Sequence, residues 1–313
     1  MSIITEKSEI IFLYEAKYSI PNGDPFTGEQ RYDEETKKIL VSDVRIKRFI
    51  RDYLIDNGKE VYVFNDKSQA EGKESGSAAR MKALRVKYGA DEDVKSAKKG
   101  EGGLKLLQKC IDVRLFGGIS TEEKEAVNIT GPMQFALLNP SLNSVDLRMH
   151  QNTSLFSSSA EKSRGAIGTT SVVPYALCQI HGWINPYSAK LSGLTNADLD
   201  EVFSALWNSV NNSNTRSKSN QSSLLLLQIV YTQPTDKLYG TDKLIGIQSE
   251  KRQEEFRDLD EVTFDFEKLK VAASSPKVKE IRYYTEIEHI KTAIVALGNS
   301  KFKELSILVP TAV

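Results

Sequence analysis

Four cations lie on one face of a predicted helix over residues 41–55: Arg45, Lys47, Arg48 and Arg51. Cations grouped in this way can neutralise phosphates of a nucleic-acid backbone, which adds sequence-independent, salt-sensitive affinity. An ordinary solvated helix surface produces the same pattern. The face is therefore a candidate phosphate-binding surface that the pattern alone does not establish.

A second candidate is the polar run N-T-R-S-K-S-N-Q at residues 214–221. Hydroxyls, amides and the cations Arg216 and Lys218 share one short loop, and such groups contact phosphate oxygens. An ordinary polar connection between two elements has the same composition.

A third candidate is residues 152–171, which are rich in Ser, Thr and Gly and carry Phe156 and Arg164. A hairpin with an apolar tip could insert Phe156 between nucleotides while Arg164 holds the backbone. A surface loop without any such role fits the composition equally well.

Catalytic patterns are scarce. Asp24 follows the first predicted strand in the sequence N-G-D-P and could be a catalytic carboxylate or a metal ligand, but turn chemistry explains the same residues. The chain's three histidines, at positions 150, 181 and 289, have no metal-ligand spacing. No phosphate-binding loop of the P-loop type is present. We therefore expect no catalytic residue, metal site or cofactor.

Composition limits the class of protein. The 313 residues contain 42 Lys+Arg and 42 Asp+Glu, and this zero net charge argues against a nucleic-acid binder unless the cations are concentrated on one surface. Two cysteines are too few for a disulfide framework. Without a signal-peptide core or a long apolar segment, the sequence predicts a cytoplasmic protein.

The predicted elements place the three candidates in an α+β fold. Period-two alternation predicts a half-buried strand over 9–20, with Tyr18 on its apolar face. The other predicted elements are the helix 41–55 capped by Ser42 or Asp43, a polar insertion at 65–102, a helix at 104–115, a strand at 172–184, a helix at 196–210 capped by Thr195, a buried strand at 224–231, a helix at 285–297 and a final strand at 305–309. This order matches a ferredoxin-like core, as in RNA-recognition domains.

Several segments resemble the CRISPR-associated Cas7 family. They are S-I-P-N-G-D-P-F-T-G-E-Q-R-Y-D-E-E-T (19–36), L-V-S-D-V-R-I-K-R-F-I-R-D-Y-L (40–54), D-V-R-L-F-G-G (112–118), I-T-G-P-M-Q-F (129–135), V-P-Y-A-L (173–177), H-G-W-I-N (181–185) and T-R-S-K (215–218). They follow the family order between residues 12 and 232. The chain is most similar to the backbone subunit of subtype I-B, and next to that of I-C.

The resemblance implies one hand-shaped domain spanning 1–313, with a modified RNA-recognition core. Its expected parts are a palm (9–60, 104–150, 172–232 and 281–310), a fingers-like insertion (65–102) and a thumb-like hairpin (152–171). It adds Asn22 and Arg114, which lie in matching segments, to the candidate RNA-binding residues.

The function implied is a repeating, non-catalytic backbone subunit of a type I Cascade complex. The expected partners are guide RNA, target DNA through the guide, further copies of the chain and other Cascade subunits, with no membrane. One alternative is a metal-dependent endoribonuclease that uses Asp24, as related type III subunits do. Another is a regulatory or assembly protein that acts without guide RNA.

Overall fold

A mixed sheet forms the centre of the molecule, which a computed structural model describes for residues 2–64, 76–98, 100–121, 126–153 and 167–307. The helices in this part of the chain are α1 (Asp43–Asp56), α2 (Ser77–Tyr88), α3 (Glu92–Lys95), α4 (Gly102–Gln108), α5 (Ile111–Phe116), α6 (Pro186–Ser192), α7 (Asn196–Asn211), α8 (Glu267–Ala273) and α9 (Glu288–Val295). The strands are β1 (Ser8–Ser19), β2 (Tyr32–Asp33), β3 (Lys38–Ser42), β4 (Gly117–Ser120), β5 (Val127–Thr130), β6 (Met133–Phe135), β7 (Leu138–Pro140), β8 (Arg148–Thr153), β9 (Ile167–Ile184), β10 (Gln221–Tyr231), β11 (Gly246–Gln248), β12 (Thr263–Asp265), β13 (Val278–Tyr284) and β14 (Phe302–Glu304).

The strand order of the central sheet is β14-β13-β10-β1-β9-β6, and β8 also pairs with β9. Pairing is antiparallel except between β13 and β14. The mixed α+β class predicted from the sequence is therefore confirmed.

Both faces of β1 are buried, and the expectation of a half-buried strand is wrong. Phe12 and Tyr14 pack on the side of α1 and α7, whereas Ile11 and Leu13 pack on residues 244–294. The alternation predicted that one face of β1 is exposed to solvent, but residues 244–294 cover that face.

The carboxylate of Glu9 is buried on the face of β1 that residues 244–294 cover. Its oxygens lie 2.8 Å from His181 Nε2, 2.7 Å from the Tyr231 hydroxyl and 2.6 Å from the Thr241 hydroxyl. Burial raises the pKa of Glu9, but these hydrogen bonds together outweigh burial and leave the pKa below its ordinary value. The network links the sheet to the segment that covers it.

Local signals located α1 and α7 well. The Ser42 hydroxyl accepts a hydrogen bond from the Arg45 backbone N–H at 3.3 Å, and Thr195 forms a capping box with Asp198. Thr195 was the predicted cap of α7, and Ser42 was one of the two caps predicted for α1. The two helices pack together against the sheet.

The sequence was less informative elsewhere. The helix expected over 104–115 is two helices, α4 and α5, which are separated at Lys109 and Cys110. The last strand of the described part of the chain is Phe302–Glu304, and residues 308 and 309 of the predicted strand 305–309 lie outside the described residues. Strand β13 was not predicted. Within the described ranges, no helix is both long and apolar enough to cross a membrane.

Gly117 ends α5. Its φ is +88°, and a Cβ at this position would lie 2.1 Å from the Ile129 carbonyl oxygen. A side chain is therefore excluded for conformational and steric reasons. The resulting close approach pairs β4 with β5, so two of the segments that resemble the Cas7 family lie side by side.

Candidate nucleic-acid interface

Two of the candidate cations form ion pairs with buried acids. Arg51 Nε lies 2.9 Å from Asp112, whose carboxylate is fully buried. Arg114 forms a bidentate pair with Asp198 at 2.6 and 3.0 Å. Such pairs stabilise only as complete pairs, because removing one partner leaves a buried charge. Both arginines therefore hold helices in place.

Lys47 and Arg48 are paired within α1 itself. Lys47 lies 3.0 Å from Asp43, and Arg48 lies 2.6 Å from Asp52. Both pairs have the i,i+4 spacing that joins charges on one helix surface. The sequence contained this signal, and it lowers the positive charge of the predicted basic face.

Arg45 differs from the other cations of α1. Its guanidinium lies over the Phe49 ring at 3.8 Å, and its Nε is buried without a hydrogen-bond partner. No acid lies within ion-pair distance of it in the described ranges. Burial lowers the pKa of Arg45. An anion at this position would supply the missing partner.

Lys218 brings a second cation close to Arg45. Its ammonium donates hydrogen bonds to the Ile20 carbonyl and the Ser217 hydroxyl, and none of the described acids forms an ion pair with it. Burial, with a further contribution from the charge of Arg45, lowers the pKa of Lys218 to about 8. Two partly buried cations thus lie close together, and neither forms an ion pair with an acid in the described part of the chain.

Backbone hydrogen bonds fix the loop 212–220 against the end of β1. Lys17 N–H donates to the Asn220 carbonyl at 2.9 Å, and Ile20 N–H donates to the Ser217 carbonyl at 2.8 Å. Arg216 on this loop is exposed and has no acidic partner within the described part of the chain. The structure therefore brings Arg45, Arg216 and Lys218 to one end of the sheet.

A cleft of about 410 Å³ opens beside this loop. It lies between the end of β1, the loop and the β8–β9 hairpin, and its lining includes Tyr18, Ser19, His150, Thr170 and Arg216. The hairpin pairs Arg148–Thr153 with Ile167–Val172. Phe156 and Arg164 lie outside the described residues.

Asn22 is buried and serves the loop that follows β1. Its side-chain oxygen accepts from Ser42 N–H at 2.6 Å, and its amide donates to the Gly23 carbonyl at 3.2 Å. Its backbone N–H donates to Gln30 Oε1 at 2.9 Å. Asn22 thus fixes this loop to the start of α1, close to Arg45.

Asp24 is engaged in the turn itself. Its carboxylate accepts hydrogen bonds from the N–H groups of Phe26 and Thr27, at 2.9 and 3.4 Å, and lies 3.2 Å from Arg31. The Phe26 hydrogen bond is the main cause of its lowered pKa. Among the described residues, no group of three His, Cys, Asp or Glu could hold a metal ion.

The family model for "CRISPR-associated protein Cas7" matches residues 6–267. This chain belongs to the Cas7 family. A "CRISPR-associated protein Cas7" from Haloferax volcanii is 27% identical over 285 residues, which span 84% of this chain and 81% of the relative.

The Cas7-family chain also shares its fold with two solved chains. These are described as "CRISPR RNA-guided surveillance complex, pre-nicking" and "CRISPR RNA-guided surveillance complex", with 13% and 12% identity and a TM-score of 0.54 each. Each alignment spans 96% of this chain, and 96% and 95% of the respective solved chain. At this identity the likeness concerns the fold alone.

Tyr18 and Ser19 are cleft residues that the sequence did not reveal. Period-two alternation assigned Tyr18 to the buried face, but its side chain is 64% exposed, whereas Ser19 is 2% exposed. A local backbone change at the end of β1 breaks the alternation, and no sequence pattern signals it.

Proposed function

We propose that this Cas7-family chain is a repeating, non-catalytic backbone subunit of a type I Cascade complex, of subtype I-B, in the cytoplasm. It binds guide RNA along the phosphate backbone and presents the bases for pairing with target DNA. Its other partners are further copies of itself and other Cascade subunits. The observation that carries this proposal is the group of cations Arg45, Arg216 and Lys218, which have no acidic partner among the described residues, at the end of the sheet where Arg216 lines the hairpin cleft.

The sheet supports an RNA-recognition-like core. Strands β10, β1, β9 and β6 are adjacent and antiparallel, with α1 and α7 on one face, an arrangement typical of the ferredoxin-like βαββαβ unit. RNA-recognition motifs bind bases on the sheet's open face. Here residues 244–294 cover that face, so we place the RNA at the end of β1 instead. The fingers and thumb remain part of this proposal.

Phosphate contacts are assigned first to the three cations without acidic partners. Lys47, Arg48, Arg51 and Arg114 already bind acids, so a phosphate would have to compete for them. Phe156 and Arg164 stay proposed contacts of the thumb. Zero net charge fits this assignment, since one basic surface suffices for a subunit whose other faces contact proteins.

The test is to express the chain with its operon partners, purify the complex and extract its nucleic acid. We expect a discrete RNA of uniform length with one repeat-derived end. RNA of mixed lengths would reduce the protein to a general RNA binder. A complex without RNA would overturn the proposal and favour a regulatory or assembly role.

A matched pair of variants tests the interface. Arg45→Gln/Arg216→Gln removes two cations without acidic partners, and Arg48→Gln/Arg252→Gln removes two exposed cations that are paired with acids. Both change the net charge equally, so general electrostatics predicts equal losses of RNA. We expect the first variant to lose most of its RNA and the second to keep it, with unchanged melting temperatures. Equal retention would contradict the interface assignment.

The endoribonuclease alternative has a separate test. Asp24→Ala should leave RNA binding unchanged, and the wild-type complex should not cleave RNA in the presence of magnesium, because the Asp24 carboxylate is already held by two N–H groups and Arg31. Magnesium-dependent cleavage that Asp24→Ala abolishes would establish the alternative.

A further inference from the structure

Tyr18 has a backbone conformation that bulky residues rarely adopt. Its φ is +45°, in the left-handed region, where a large side chain is an outlier. The register of β1 with β9 pairs Lys17 with Tyr175 and Ser19 with Val173, so Tyr18 lies opposite Pro174. Proline has no N–H to donate, and the ladder therefore does not hold Tyr18 in extended geometry.

The surroundings maintain this conformation. The hydrogen bonds from Lys17 N–H to Asn220 and from Ile20 N–H to Ser217 fix the chain on both sides of Tyr18. Strained backbone of this kind persists only where neighbouring structure imposes it, and it is common at functional sites. Its effect here is to turn an aromatic ring out of a strand whose preceding residues are largely buried.

The exposed ring of Tyr18 lines the hairpin cleft together with polar and charged side chains. Arg216 and Ser19 line the cleft. Within the described ranges, Arg216 has no acidic partner and the buried Ser19 hydroxyl has no hydrogen-bond partner. His150 and Thr170 come from the hairpin on the other side. The volume of about 410 Å³ lies within the range of small-ligand sites, about 300–1,000 Å³.

An aromatic face beside a cation suits one base and its phosphate. Bases stack on tyrosine rings regardless of their identity, because every base has a π face. An apolar peptide side chain would satisfy the ring but would leave Arg216 and the Ser19 hydroxyl without partners. The combination therefore favours a nucleotide.

We propose that Tyr18 is a base-stacking platform on which one base of the bound RNA rests, while Arg216 holds the adjoining phosphate and the Ser19 hydroxyl bonds to the sugar or base. This inference rests on the proposed function and adds a contact with a base to a site otherwise made of phosphate contacts. Stacking makes that contact independent of guide sequence.

Photocrosslinking tests the contact directly. RNA containing 5-iodouridine is bound to the full-length protein and irradiated, and adducts are located by mass spectrometry, since this base crosslinks efficiently to stacked aromatic rings. We expect an adduct on Tyr18. Adducts at other residues with none on Tyr18 would overturn the inference.

Substitutions separate the ring from the backbone. Tyr18→Phe keeps the ring and should bind RNA as the wild type does. Tyr18→Gly relieves the positive φ, so its melting temperature should be equal or higher, yet RNA affinity should fall by roughly 5- to 150-fold, the equivalent of one base stack. Tyr239→Gly removes another exposed tyrosine and should leave affinity unchanged.

The outcomes distinguish the two proposals. A wild-type chain that binds no RNA overturns the proposed function, and this inference with it. Wild-type binding that Tyr18→Gly leaves intact overturns only the stacking role. Loss of affinity in Tyr18→Phe as large as in Tyr18→Gly would also overturn it, because the hydroxyl and not the ring would then make the contact.

Discussion

Guide binding by this protein should weaken as pH rises above 8, because of Lys218. Its ammonium is partly buried beside Arg45 without an acidic partner among the described residues, and burial with that neighbouring charge lowers its pKa to about 8. A phosphate at this place supplies the missing anion and returns the pKa towards the ordinary value. Above pH 8, RNA binding therefore requires the uptake of a proton.

The size of the effect follows from one titrating site. With a pKa of about 8 in the free protein, the RNA affinity should be roughly half its maximum at pH 8 and roughly one-tenth at pH 9. Conformational stability changes in the opposite direction. Because the folded pKa is depressed, charged Lys218 opposes folding below pH 8, and this cost disappears as pH rises towards the unfolded value of about 10.4. After allowance for solvent screening of the partly exposed ammonium, the cost is about 1–2 kcal/mol.

The assay is fluorescence anisotropy with an oligonucleotide of adenosine and cytidine, whose bases do not lose protons at mildly alkaline pH. Affinity is measured at constant ionic strength from neutral pH to about pH 9, so that salt-dependent binding stays fixed. Lys218→Gln should bind more weakly but without the pH dependence. An unchanged wild-type affinity at pH 9, or the same decline in Lys218→Gln, would refute the reasoning.

Three further predictions concern charges whose partners the structure identifies. Arg51→Ala should lose about 3 kcal/mol of unfolding free energy in urea titrations, because Asp112 would remain as an unpaired buried carboxylate; a loss below about 1 kcal/mol would contradict the buried pair. Arg48→Ala should change stability by less than about 0.5 kcal/mol, as its exposed pair with Asp52 lies on one helix. Glu9→Gln should reduce the loss of stability in acid: the lowered pKa of Glu9 stabilises the fold above the ordinary carboxyl value, and this contribution disappears as pH falls through the folded pKa. Thermal melts at neutral pH and at about pH 3.5 measure the difference, and identical acid sensitivity of variant and wild type would exclude Glu9 as the cause.

The sequence by itself determined the elements that depend on near neighbours. The bounds of α1 and α7 and their caps at Ser42 and Thr195 were predictable, because helix periodicity and capping act within a few residues. The family resemblance was readable too, since its segments keep their order along the chain. The ion pairs of Lys47 with Asp43 and of Arg48 with Asp52 also join residues four positions apart, so the sequence contained them. The pattern of cations on the helix did not take these acids into account.

Only the tertiary structure decided which cations remain available to an anion. Arg51 belonged to the same predicted basic face as Arg45, and the family resemblance added Arg114, but their acids lie 61 and 84 residues away along the chain. The exposure of Tyr18 likewise depends on the loop 212–220, which is far from β1 along the chain but is hydrogen-bonded to its end. Charge pairing and burial arise from contacts between segments that are distant along the chain. The periodicity of one segment does not show which of its residues another segment will bury or pair with.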